Sequence, residues 1–165
     1  MTCANNLTAI ILCTPTIRQY LLNYARPLIY TTFMSFPALA AIRASYSMLM
    51  TGQTRPLQTS LFSLISHLHT RLLDLQRFRS PHHLLNVPET CPPSPIFSVQ
   101  SSEPRSLAVF CQQAGFVVRA IMPPTVPAGA ERIRVCLHPS NTVQEVDALV
   151  KRIEEWILLQ RRSKL

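Results

Sequence analysis

The sequence predicts an α/β chain that closes in a small α+β layer. Two observations predict it. Between residues 95 and 160, short segments of period two alternate with segments of helical period. In the first 50 residues a single apolar run is followed by helix, and one strand with one helix cannot bury both faces of a sheet. Those residues read as the end of a larger layered domain. The boundaries follow: 1–50 as the end of that large domain, 51–94 as a connecting helix and loop, 95–160 as the small domain, and 161–165 as a tail.

The elements run in this order. Ala9–Cys13 has the apolar content of a buried strand. A helix opens at Thr14, which can cap, with Pro15 suited to the first turn, and continues to about Tyr24. The stretch ARPLIYTTF is expected to be extended. A second helix starts near Pro37 and stops at Gly52, and a third over roughly 56–77 places Leu57, Leu61, Leu64, Ile65, Leu68, Leu72 and Leu75 on one stripe. Residues 78–94, with their prolines, read as a loop. Then come strand Ile96–Val99, helix Pro104–Ala114, strand Phe116–Ile121 and strand Arg132–Leu137. The last helix is marked by a capping box, Thr142 with Glu145, followed by Val143, Val146, Leu149, Val150, Ile153, Trp156 and Ile157 at helical spacing.

At 165 residues the chain can bury a proper core, and 47% hydrophobic content excludes wholesale disorder. The formal net charge is +8, and 14 of the 16 basic residues are arginine. Guanidinium forks suit carboxylate and phosphate. No long basic run or aromatic platform points to nucleic acid. The five cysteines lack CxxC spacing and read as free thiols. His67 and His69 are two apart and would diverge on a helix, so no metal site is expected. The run LTAIILC is too short to span a bilayer.

The passage IMPPTVPAGAERIRVCL, residues 121–137, carries the strongest local signal. Pro123, Pro124 and Pro127 hold an extended path, Gly129 permits a bend, and Arg132, Arg134 and Cys136 then alternate with Ile133, Val135 and Leu137. On pattern alone this is a connector leading into an edge strand. A stiff loop also costs little entropy to order, which suits a site that must hold a ligand group in register.

Together with AIILCTPTIRQYLLNYARPLIYTTFM, PALAAIRASY and the final helix, AGFVVRAIMPPTVPAGAERIRVCL resembles the C-terminal part of the pyridoxal-phosphate-dependent α-oxoamine synthases, above all their biotin-biosynthesis branch. The likeness covers most of residues 9–160 and is weakest over 78–94. The resemblance implies an aminotransferase-like fold (fold type I), with a large domain and a small C-terminal domain. It implies a homodimer with active sites at the subunit interface. The implied reaction condenses an amino acid (L-alanine) with an acyl-CoA (pimeloyl-CoA) on pyridoxal 5'-phosphate, with loss of carbon dioxide. By the same resemblance Arg134 holds the substrate α-carboxylate, Thr125 neighbours the substrate, and Thr31 and Thr32 reach the cofactor phosphate of the neighbouring subunit.

The sequence also departs from that pattern. Where the family carries its Schiff-base lysine and a glycine-rich turn, this chain has MTCANNLT, and its only lysines are Lys151 and Lys164. Met122 stands where bacterial members have an arginine before the two prolines. No catalytic residue is therefore assigned, and the chain is expected to be the C-terminal fragment of a synthase, inactive alone. The alternative is a non-catalytic partner subunit docked on a full-length homologue. Apolar surface on 9–13 and 36–50 is expected to make the isolated chain poorly soluble or oligomeric. Finally, Ser163, Lys164 and Leu165 spell the peroxisomal address SKL, which the import receptor reads; without such reading the chain would stay cytoplasmic.

Overall fold

A computed structural model describes residues 11–31, 34–79 and 84–162. The chain divides into two compact units, one up to Arg55 and one from Pro56 onward.

The first unit is helical. Helix α1 (Pro15–Tyr24) is capped by Thr14, whose hydroxyl accepts from the Ile17 amide at 3.4 Å, and Tyr20 stacks on Tyr24 one turn later. Helix α2 (Arg26–Ile29) replaces the extended path expected for ARPLIYTTF. Pro27 lies in its first turn, where a missing N–H costs nothing, so a short helix satisfies the backbone as well as an extended run would. The strand expected at Ala9–Cys13 does not appear at Ile11–Cys13, and Ala9 and Ile10 lie outside the described residues. Helix α3 (Phe36–Met50) ends at Thr51, and Gly52 follows with φ of +74°, the left-handed turn that glycine takes without strain. None of the three helices buries a residue, and Phe36, Tyr46, Leu49 and Met50 on α3 are exposed.

The second unit contains nearly all of the core. Helix α4 (Arg55–Arg79) leads into it, and Leu64, Ile65, Leu68, Leu72 and Leu75 on α4 are buried. Strand β1 (Ile96–Gln100), helix α5 (Pro104–Gln113), strand β2 (Arg119–Ile121), strand β3 (Arg132–Cys136) and helix α6 (Val143–Arg162) complete it. The three strands form one antiparallel sheet in the order β1-β3-β2. So β3 is the central strand, not the edge strand that its local pattern suggested, and β2 is confined to Arg119–Ile121. One sheet face (Phe97, Val99, Ile133, Val135) joins the apolar stripes of α4, α5 and α6 in a single core.

Residues 84–94 form the loop expected, but part of it enters the core. Leu84, Leu85 and Val87 are fully buried. Irregular backbone can enter a core only if its polar groups are satisfied. Here Asn86 exchanges both backbone hydrogen bonds with Gln100, at 2.9 and 3.0 Å, and the Val87 amide donates to Oε1 of Gln76.

The capping box of α6 forms as expected. The Glu145 amide donates to Oγ1 of Thr142 at 3.2 Å, and the Thr142 amide donates to Oε2 of Glu145 at 2.9 Å. One turn on, Oδ1 of Asp147 takes Nε2 of His67 and Nε of Arg71, both at 3.0 Å, which ties α6 to α4. The His67 hydrogen bond, more than the Arg71 charge, holds the Asp147 carboxyl below its ordinary value. A depressed carboxyl stabilises the fold above that ordinary value and ceases to do so as pH falls through the folded one.

Candidate functional site

Strand β3 reaches its position through the loop from Met122 to Glu131. The Pro123–Pro124 peptide is cis, the Thr125 amide donates to the Met122 carbonyl at 3.0 Å, and the Ala130 amide donates to the Pro127 carbonyl at 3.1 Å. Gly129 has φ of +85°. A side chain there would meet no neighbour, so the left-handed backbone alone accounts for the glycine. Beyond it the loop is fastened to β1. The Ser101 amide donates to the Glu131 carbonyl, and the half-buried Arg132 donates through Nε to the Ala130 carbonyl and through Nη1 to Oγ of Ser98.

Arg134 stands two residues further on and is exposed. Its Cα partners are Ser98 on β1 and Arg119 on β2. Directly paired residues of an antiparallel sheet share a face, so the face away from the core consists of Ile96, Ser98 and Gln100, Arg119 and Ile121, and Arg132, Arg134 and Cys136. Three of those eight positions are arginine and none is acidic, which makes the face an anion-attracting surface. Beside it a hollow of about 480 Å³ is lined by Asn86, Gln100, Ser101, Met122, Gly129 and Glu131.

The expected site residues fall in different parts of the molecule. Arg134 and Thr125 belong to one hairpin, with Thr125 exposed in its connection. Thr31 lies in the first unit, and its hydroxyl donates to the Pro27 carbonyl. Thr32 lies outside the described residues, as do His82, His83 and the SKL tail. Among the described residues no three His, Cys, Asp or Glu side chains are grouped as metal ligands. None of the helices described is long and apolar enough to cross a membrane.

Two features escaped the sequence reading. Arg119 lies across from Arg134, and its place in the alternation of Val117 to Ile121 was the available signal. The Asp147 ion pair joins residues 80 apart and left no local trace.

Among the described residues the phosphopyridine that the resemblance implies finds no covalent anchor. Their one lysine, Lys151, is exposed on α6, and the hydroxyl of Thr31 is engaged with the Pro27 carbonyl of α2. What these residues can hold is an anionic group on the open face of the sheet.

Residues 4–153 match the family model for aminotransferase class I and II. Over 160 residues the chain is 53% identical to the 8-amino-7-oxononanoate synthase of Emericella nidulans, a match that covers 94% of this chain and 37% of that protein. The chain therefore spans little more than a third of that relative. It superimposes on the 8-amino-7-oxononanoate synthase of Francisella tularensis with a TM-score of 0.64 at 21% identity, covering 90% of this chain and 41% of the other. With a serine palmitoyltransferase from S. paucimobilis the TM-score is 0.68 at 23% identity, over 86% and 34% of the two chains. These two structures establish the fold: the chain has the α/β architecture of fold type I.

Proposed function

Because this chain belongs to the aminotransferase class I and II family, we propose that its residues supply the carboxylate-holding part of a pyridoxal-phosphate-dependent acyltransferase of biotin synthesis. The observation that carries this reading is the 53% identity with the Emericella synthase. The substrates proposed are L-alanine and pimeloyl-CoA. In this reading Arg134 clamps the amino-acid carboxylate with two parallel N–H donors, which fixes both position and orientation. The fastened loop from Met122 to Glu131 keeps the strand that carries Arg134 in register, and Thr125 borders the substrate. Thr31 and Thr32 are proposed to serve the cofactor phosphate across a dimer interface. Neither Lys151 nor Lys164 stands where covalent attachment of the cofactor is expected, so these 165 residues alone do not turn over.

The test has two readings. Purified chain given L-alanine, pimeloyl-CoA and pyridoxal phosphate is expected to release no free CoA. Arginine modification by phenylglyoxal, mapped by peptide, is expected to spare Arg134 when L-alanine is present. Release of CoA by the chain alone would overturn the inactivity. Equal modification of Arg134 with and without L-alanine would overturn the clamp.

We also propose that the final Ser163, Lys164 and Leu165 direct the chain to peroxisomes, where acyl-CoA thioesters are made and shortened. Helix α6 supports this reading by ending in the exposed Arg161 and Arg162 just before the tripeptide. A fluorescent protein fused ahead of the chain is expected to collect in peroxisomes and to return to the cytosol when the three residues are deleted. Cytosolic fluorescence from the undeleted fusion would end the proposal.

A further inference from the structure

We propose that Arg119 is the second half of the carboxylate seat, so that one substrate carboxylate is held between two guanidinium groups and not by Arg134 alone. The inference rests on the reading of Arg134 as the clamp and adds a residue to which that reading gives no role. Three observations carry it. Arg119 and Arg134 are direct cross-strand partners, so their side chains leave the sheet on the same face from adjacent strands. Both are exposed, and neither guanidinium has a hydrogen-bond or ion-pair partner among the described residues. The third arginine of the face, Arg132, is occupied with the Ser98 hydroxyl and the Ala130 carbonyl.

Like charges directly opposite one another weaken a strand pair unless something of opposite charge lies between them. No strand position on this face is acidic, so the described strands place no such group between the two arginines. A bound carboxylate supplies one. Its two oxygens offer about four lone-pair sites, enough for the fork of Arg134 and a further donor pair from Arg119. Arg119 thereby binds and orients; it transfers no proton.

The experiment follows modification of both arginines by phenylglyoxal in the full chain, with acetate, L-alanine or inorganic phosphate as the protecting anion. Arg119 and Arg134 are expected to be protected by acetate and by L-alanine with one common half-protecting concentration. Arg119→Gln is expected to raise the concentration that protects Arg134 by about tenfold, and Arg119→Lys by less, because charge is kept while the fork is lost. Unchanged Trp156 fluorescence reports that each variant keeps its fold; if the glutamine variant does not, the lysine variant carries the comparison.

Protection of Arg134 at the same concentration in wild type and Arg119→Gln would overturn this inference and leave the reading of Arg134 intact. Absence of protection at either arginine would overturn both. Protection by phosphate with none by acetate or L-alanine would overturn the carboxylate as the ligand class.

Discussion

Replacing Trp156 with alanine is expected to lower the stability of the second unit by about 3–5 kcal/mol, the cost of truncating a fully enclosed aromatic side chain. Trp156 lies on the buried stripe of α6 between Ile153 and Ile157, at 1% exposure. Its indole Nε1 donates to Oγ of Ser106 on α5 at 3.0 Å. Alanine removes the apolar body that fills the junction of α5 and α6, and leaves the neighbours to relax around a cavity. Around the rim Arg152 packs over Phe110 with its guanidinium carbon 3.5 Å from the ring centroid, a contact that depends on α5 and α6 keeping their spacing. In a unit of this size the loss corresponds to a fall of about 10–20 °C in the melting midpoint. Two variants separate the volume from the hydrogen bond. Trp156→Phe keeps most of the volume and gives up the N–H, so its cost should be distinctly smaller. Ser106→Ala leaves the buried N–H without a partner, at about 1–3 kcal/mol. Calorimetry of the three variants makes the comparison. A Trp156→Ala chain that melts within a few degrees of wild type would show that the α5–α6 junction is not the centre of this core.

What was legible in the sequence is what local pattern encodes. Helix α6 was legible because its start signal and its stripe lie within one continuous segment, and both reappear in the structure as the Thr142–Glu145 box and the buried run from Val146 to Ile157. Strand β3 was legible as a strand because Ile133 and Val135 alternate with polar residues. Its central place was not, because alternation reports which face is buried and says nothing of how many neighbours a strand has. The same limit hid Arg119: cross-strand partnership is a matter of register, fixed between segments 15 residues apart. Leu84, Leu85 and Val87 were hidden for another reason. They sit among prolines and polar residues with no period, and their burial depends on Asn86 finding Gln100 and Val87 finding Gln76. The family was legible through motif, and the residues that carry that motif, from Ala114 to Leu137, turn out to build the hairpin that presents the two arginines.

The arginine face and the core lie on opposite sides of the same three strands, so the chemistry of the open side depends on the packing behind it. Arg134 is followed and preceded by Val135 and Ile133, which are among the most deeply buried residues of the sheet. A shift of β3 by one residue would exchange the faces and carry Arg134 into the apolar layer. Burial of a charge without a partner is costly enough to forbid it. The alternation therefore sets the register and the side on which Arg134 stands together.

Cys111 offers the second large effect, and it probes that packing without any ligand. It is fully buried on α5, and burial pushes its thiol from 9.0 up to about 11, against the opposing pull of the Arg152 charge. The reactive species is the thiolate. A rise of this size lowers the thiolate fraction at neutral pH by about a hundredfold, before any barrier to access is counted. Cys13, Cys91 and Cys136 are exposed. Maleimide labelling followed by peptide mapping is therefore expected to modify these three readily, and Cys111 at least about a hundred times more slowly until denaturant is added. The same shift has a sign in stability. A thiol whose folded value is raised stabilises the fold fully below 9.0, and that contribution is lost as pH rises from 9.0 towards 11, by about 2–3 kcal/mol in all. Melting curves between pH 8 and 11 should fall more steeply for wild type than for Cys111→Ala, which has nothing to ionise there. If Cys111 labels as fast as Cys136 in the native chain, helix α5 does not stay seated on the sheet, and the surface that carries Arg119 and Arg134 is not held as described.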